Sequence, residues 1–171
     1  MSMEYIHREA AKLVCKCRTR NPFKIAKIIG VHVIWRDDFV KLKGLYKVIE
    51  RNRFIFINSR LDEYEQKLIC AHELGHDALH RTLATYGILQ DMMHCDMKSR
   101  PEYEANVFAA DILLDDKEIF DLARDGYTEQ QIASELCVDV NLLIIKMNEM
   151  NKRSGYGFKL SSAPRGGFLG D

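Results

Sequence analysis

The sequence has no excess charge of either sign: 25 lysines and arginines stand against 25 aspartates and glutamates. Such a balance offers no electrostatic footprint for nucleic acid or an anionic membrane, so any partner must be recognised locally. Long apolar runs are missing too. The opening stretch MSMEYIHREAAKLVC places Glu4, His7, Arg8, Glu9 and Lys12 where a signal peptide needs an uninterrupted apolar core. No window reaches the roughly 18 to 20 uncharged apolar residues of a membrane span. These absences point to a soluble, cytoplasmic protein with no membrane partner. Cysteine is odd in number and scattered, at Cys15, Cys17, Cys70, Cys95 and Cys137, which excludes a complete disulfide framework. Cys15-Lys16-Cys17 lacks the two-residue spacer and the second pair of a structural zinc site, so ordinary reduced thiols, buried or half-buried, are expected.

What is present is helical periodicity with one interruption. At 171 residues the chain suits one compact core with room for a small appended subdomain. Apolar residues at Tyr5, Ile6, Ala10, Leu13, Val14 and Cys17 predict a first amphipathic helix. Asn21 and Pro22 then cap and open a second that stops at Gly30. From Val31 the rhythm changes to β-branched and aromatic runs, VHVIW and then GLYKVI and RFIFIN around Glu50-Arg51-Asn52. That pattern predicts a strand followed by a hairpin, hence a small antiparallel sheet, with His32 as an ordinary strand residue. Asp62 caps a helix that runs to about His80. Pro101 opens another, PEYEANVFAADILL, apolar on almost every side and therefore buried. Between them lie some twenty residues with a possible helical turn near Leu83 to Leu89, a candidate lid or substrate contact. Two short helices around a turn at Cys137 to Asp139 follow, the first capped by Thr128. The tail from Ser154 to Asp171, with five of the ten glycines, is expected to be disordered.

Chemistry concentrates in AHELGH, residues 71–76. Residues i and i+4 of a helix share a face, so His72 and His76 can present two imidazoles to one ion with Glu73 alongside, the zinc pattern H-E-x-x-H. A catalytic zinc takes three protein ligands and keeps one position open. Glu102 and Glu104, 26 and 28 residues after His76, are the available third ligands. Glu102 is preferred, because it shares a face with Ala105, Asn106 and Ala109, small residues that let two helices approach closely. Asn106 would then accept the ring N–H of a ligating histidine. With zinc on His72, His76 and Glu102, a bound water becomes acidic towards pKa ~7. Glu73 is then the general base of a peptide-bond hydrolysis, on a substrate that could add to a sheet edge as a strand. His80, at i+8 on the same stripe, and His94 in the long loop are either substrate or oxyanion contacts or plain surface or helix-end residues. Gly75 costs roughly 1 kcal/mol relative to alanine in a helix interior. A close backbone neighbour, taken to be the sheet, would account for it.

The segments NPFKIAKIIGVHVIW, HELGHDALH and EYEANVFAADILL, in this order and spacing, resemble the ImmA/IrrE metallopeptidases over residues 3 to 150. The resemblance implies zinc on His72, His76 and Glu102, catalysis by Glu73, and a substrate that is a helix-turn-helix repressor of a phage or mobile element. It fits a fold that is α+β and zincin-like, mostly helical, with the small antiparallel three-stranded sheet before the H-E-x-x-H helix. The division expected is a metallopeptidase domain over 1–120, a helical subdomain over 121–153 and the tail over 154–171. One departure is that Leu113-Leu114 leads to Asp115-Asp116 where the family's helix usually meets a Leu-Met-Pro stop. Two rival readings are a zinc-containing antirepressor that sequesters its repressor without cutting it, and a DNA-binding regulator using QIASELCVDVNLLIIKM. Charge opposes the latter: from Arg124 to Arg153 four basic residues face five acidic ones, and the would-be recognition helix is apolar.

Overall fold

The computed structural model describes residues 2–85 and 99–160. Helix α1 spans Met3–Cys17 and is capped by Ser2, whose hydroxyl accepts from Tyr5 N. Helix α2, Pro22–Ile29, is capped by Asn21 and ends at Gly30, whose φ of 74° is the left-handed conformation that glycine adopts freely. Strands β1 (Val31–Arg36), β2 (Gly44–Ile49) and β3 (Asn52–Asn58) form one sheet in the order β1-β3-β2. The hairpin expected at Glu50-Arg51 is present: β2 and β3 pair antiparallel, with Ile49 opposite Asn52. Glu50 and Arg51 both have positive φ, as a two-residue hairpin turn of the primed type requires.

The sheet is mixed rather than wholly antiparallel, because β1 pairs parallel to β3, from Val31 opposite Arg53 to Arg36 opposite Asn58. Periodicity along a strand reports its faces and not its neighbour's direction, and here the hairpin turns its second arm, not its first, toward β1. Ile55 and Ile57, two apart and fully buried, face the helical layer.

Helix α3, Glu63–Leu79, is capped by Asp62, which accepts from Glu65 N. It packs on β2 and β3 with one face and on α5, Arg100–Leu113, with the other. The short α4, Arg81–Thr85, follows α3 directly. It covers the start of the segment expected to hold a helical turn, and most of that segment, with His94, lies outside the described residues. Helix α5 is the centre of the molecule, touching α3, α1 and the last helix, with Val107, Phe108, Ala109, Ala110 and Ile112 buried.

The Asp115-Asp116 departure has a local reason. Helix α5 ends at Leu113, and Asp115 starts α6, Asp116–Arg124, by accepting from Lys117 N and Glu118 N. Arg20 clasps the end of α5, donating to the carbonyls of Asp111, Ile112 and Leu114 at 2.8, 3.2 and 3.1 Å and to the Asp115 carboxylate at 2.7 Å. These are carbonyls with no partner in the next turn of their own helix. Helix α7, Glu129–Glu135, opens with a reciprocal Thr128–Gln131 capping box. Helix α8 runs fifteen residues, Val140–Ser154, longer than expected. Its Leu142, Leu143, Ile144, Ile145 and Met147 are buried, so the apolar face of the would-be recognition helix is spent on the core.

Residues 155–160, read from composition as the start of a disordered tail, instead fold back on α8. Asn151 accepts from Phe158 N at 2.8 Å and donates to Phe158 O at 2.9 Å, and Phe158 and Leu160 pack against the core. Residues 161–171 lie outside the described residues. No described helix is long and apolar enough to cross a membrane. Cys15, Cys17, Cys70 and Cys137 are free thiols; Cys70 is buried and Cys17 half-buried as expected, whereas Cys15 and Cys137 are exposed, and Cys95 lies outside the described residues.

Candidate metal centre

The facing of α3 is set by Asp77. Its carboxylate accepts from Tyr46 Oη on β2 at 2.7 Å and from Arg53 Nη1 on β3 at 2.9 Å, so the residue after His76 is tied to the sheet. Arg53 also donates to Ile29 O at the end of α2. With that side of the helix fixed, His72 and His76 point the other way, toward α5. The gap is narrow because Gly75 meets Ala105: a Cβ on Gly75 would lie 3.0 Å from Ala105 Cα and 3.2 Å from its carbonyl oxygen. The close neighbour of Gly75 is thus α5 and not the sheet. The expectation that small residues beside Glu102 admit a close approach describes the same contact from the other side.

Across this contact three side chains converge. His72 Nε2 is 3.1 Å from His76 Nε2 and 3.1 Å from Glu102 Oε2, and His76 Nε2 is 3.3 Å from Glu102 Oε1. One donor atom from each of the three lies within 4.8 Å of the others, the single such group among the described residues. Both histidines are nearly inaccessible to solvent. Asn106 Oδ1 sits 2.8 Å from His72 Nδ1, the relation expected for it. An amide oxygen only accepts, so His72 carries a proton on Nδ1 and turns its Nε2 toward the gap.

This donor set fits a divalent ion. Two imidazole lone pairs and a carboxylate crowded to 3.1–3.3 Å repel unless a proton or a cation lies among them. Four-coordinate zinc with bonds of roughly 2.0–2.1 Å requires neighbouring donors about 3.3–3.4 Å apart. Glu102 Oε1 is buried without a hydrogen-bond partner, its 3.3 Å approach to His76 failing the angular requirement. An unpaired buried carboxylate oxygen costs several kcal/mol, and a cation removes that cost. Burial works against the charge of Glu102, yet the two imidazoles beside it hold its carboxyl far below the usual carboxylate range. Burial pushes His76 down to about 4, which keeps it neutral with a lone pair to offer.

Glu73 lies on the sheet side of the cluster and is 2 % exposed. Its Oε2 has no hydrogen-bond partner, and its carboxylate receives the backbone N–H of Tyr46. Gly44, at the start of β2, leaves room for it: a Cβ there would sit 3.1 Å from Glu73 Oε1 and 2.2 Å from Ile69 Cγ2. Burial pushes Glu73 up to about 7, with the Glu102 charge adding to the rise. A carboxyl poised there can both take and release a proton near neutrality.

Glu104, the other glutamate considered as a third ligand, is turned away from the two Nε2 atoms. It contacts His80 Nε2 at 3.0 Å and Arg100 Nε at 2.9 Å. His80 is therefore a helix-end residue and not a surface one. It is 5 % exposed, and both ring nitrogens are engaged, Nδ1 lying 3.1 Å from His76 Nδ1. Its i+8 position on the stripe was the signal for this role. A second polar cluster escaped sequence reasoning altogether. Asp111, near the other end of α5, contacts His7 Nδ1 of α1 at 2.5 Å and Lys146 Nζ of α8 at 2.6 Å, all three buried. No local pattern links residues 104 positions apart.

Comparison with known proteins shows the family. Residues 26–148 match the model of the Peptidase M78 family, the IrrE N-terminal-like domain. The chain is 34% identical over 122 residues to "Uncharacterized immunity region protein 2" of Bacillus phage phi105, covering 71% of this chain and 76% of that protein. It is 25% identical over 150 residues to "Metallopeptidase ImmA" of Bacillus subtilis (strain 168), covering 84% of this chain and 86% of that one. With an H-E-x-x-H helix facing a glutamate-bearing helix in an α+β, zincin-like fold, and with the family model matched over most of its length, the chain belongs to the ImmA/IrrE family of metallopeptidases.

Proposed function

We propose that the protein is a cytoplasmic zinc endopeptidase that cuts a specific protein, a helix-turn-helix repressor of a phage or mobile element. His72, His76 and Glu102 hold the metal and Glu73 is the catalytic base. The observation that carries this reading is the buried triangle of two imidazole nitrogens and a carboxylate, 3.1–3.3 Å on a side, beside a second carboxylate with a free oxygen. Kinship with a phage immunity-region protein supports a repressor as the substrate. Bound zinc would supply polarisation of the scissile carbonyl and acidification of water towards pKa ~7.

The chain's own residues do the rest. Glu73 takes a proton from the attacking water as the new carbon–oxygen bond forms, then delivers it to the leaving nitrogen as the carbon–nitrogen bond breaks. Its burial keeps bulk water from competing for that proton. The Tyr46 N–H fixes one carboxylate oxygen and leaves the other free to act. Asn106 holds the His72 ring so that Nε2, and not Nδ1, faces the ion. Strand β2 lies at a sheet edge beside α3, so an extended substrate segment can pair with it and pass the Glu73 carboxylate.

The test is co-expression with the repressor encoded beside the gene, followed by mass spectrometry of fragments. Cleavage should depend on zinc, and Glu73→Gln should bind zinc as the wild type does while cleaving on the order of 10²–10⁴ times more slowly. A Glu73→Gln variant that still relieves repression fully would overturn the protease reading in favour of sequestration. Zinc-saturated wild type that returns no fragments would overturn the choice of substrate.

A further inference from the structure

We propose that His80 and Glu104 are positioning residues for the metal: a hydrogen-bonded relay from Glu104 through His80 fixes the proton of His76 on Nδ1 and thereby turns its Nε2 lone pair toward the ion. The inference rests on the zinc reading above. It starts from an asymmetry between the two proposed histidine ligands. His72 has an amide oxygen to hold its far nitrogen, at Asn106. The far nitrogen of His76 faces another imidazole instead, His80 Nδ1 at 3.1 Å. Two imidazole nitrogens at that distance must share one proton, and geometry alone does not say which owns it.

The next contact decides. Glu104 Oε2 lies 3.0 Å from His80 Nε2, and Arg100 Nε donates to the same carboxylate at 2.9 Å, which keeps it ionised and able only to accept. His80 therefore carries its proton on Nε2. A neutral ring then has a bare Nδ1, which accepts from His76 Nδ1–H, and His76 is left with a bare Nε2 pointing at His72 and Glu102. The opposite assignment would place the His76 proton on Nε2, aimed into the donor triangle, and close the site to a cation.

The relay is built from the same two helices as the triangle. His80 ends α3, with its backbone N–H still bonded to His76 O at 2.9 Å, so its ring is held one turn below that of His76. Glu102 and Glu104 both stand in the opening turns of α5. The start of α5 thus grips α3 twice, once where the ion would sit and once where the orientation of His76 is set. His80 and Glu104 are each about 95 % buried, so water does not compete for these contacts.

Two measurements on the full chain test the relay. In zinc-loaded wild type labelled with nitrogen-15, long-range correlation spectra should give His72 and His76 as Nδ1–H rings with metal-shifted Nε2, and His80 as an Nε2–H ring. His80 protonated on Nδ1 would overturn the relay. In competition with a chromophoric chelator, His80→Phe should weaken zinc binding roughly 10–100-fold. His80→Gln should recover most of that loss, since its oxygen can accept from His76 and its amide can donate to Glu104. A folded His80→Phe variant within twofold of wild type would also overturn the relay. Should that variant fail to fold, the wild-type spectrum decides alone. Wild type that takes up no zinc overturns the reading beneath the relay, whereas zinc-loaded wild type with the other His80 tautomer overturns the relay only.

Discussion

At the scale of single residues, the site depends on which ring nitrogen bears each proton. Asn106 fixes this for His72 through one 2.8 Å contact. Asn106→Leu keeps the side-chain size and deletes the acceptor, so zinc affinity should fall roughly 10–100-fold. Chelator competition checks it, and the melting temperature of the metal-free protein should move little, since the residue is only part-buried. The same arithmetic of donors and acceptors explains what could be read in advance. Glu102 is distinguishable from Glu104 in sequence because it shares a helix face with Ala105, Asn106 and Ala109, and that face meets α3. The role of Glu104 was not legible. A glutamate in a first turn has a sufficient local reason to be there, complementing the helix dipole, and its partner His80 is brought to it only by the folding of α3 onto α5.

At the scale of elements, the decisive contact is the crossing of α3 and α5 at Gly75. Gly75→Ala gains about 1 kcal/mol of helix propensity. The added methyl, however, meets the Ala105 backbone at 3.0–3.2 Å, and main chain cannot rotate out of the way. Overpacking of this kind costs roughly 1–3 kcal/mol, so the variant should be less stable by about 1 kcal/mol in urea. It should also bind zinc more weakly, because the two helices it separates carry the proposed ligands. A variant as stable and as tight as wild type would show that the crossing has slack. The helices themselves were legible, because caps such as Asn21, Asp62 and Thr128 act within a few residues and need no tertiary partner. Helix α6 was missed although Asp115, three residues before Glu118 and four before the buried Ile119, carries the same signal. Its aspartates were read as the end of one helix and not also as the beginning of another. The parallel placement of β1 was not legible for a different reason: strand order is decided by which side of the hairpin the helices leave free.

At the scale of the whole molecule, the Asp111 cluster ties both flanks of α5 to α1 and α8. His7 faces Asp111 on α5 and Glu149, Lys146 and Arg153 on α8. Burial opposes its charge, but its hydrogen bond to Asp111 and its ion pair with Glu149 win and raise it from 6.5 to about 9. A group raised on folding contributes its full stabilisation below its unfolded pKa and loses it as pH rises through the folded value. Urea denaturation should therefore show a loss on the order of 3 kcal/mol between pH about 6.5 and about 9. His7→Gln should flatten the curve across that window, and an unchanged slope would remove His7 as its cause. The carboxylates act at the other end. The nearby His7, with Lys152 and Tyr103, holds Glu149 down at about 2, and Asp111 is also lowered, so their contribution is complete above the ordinary carboxylate range and is lost as pH falls through their folded values.

The clasp of Lys146 on Asp111 and Asp116, at 2.6 and 2.5 Å, has a consequence for the order of events during translation. Lys146 is synthesised after both the H-E-x-x-H helix and its glutamate-bearing neighbour, so Asp111 of the latter is made before the lysine that neutralises it. Until then the helix presenting Glu102 lacks one of the buried ion pairs that moor it. The proposed metal site is therefore fully anchored only with the closing helix.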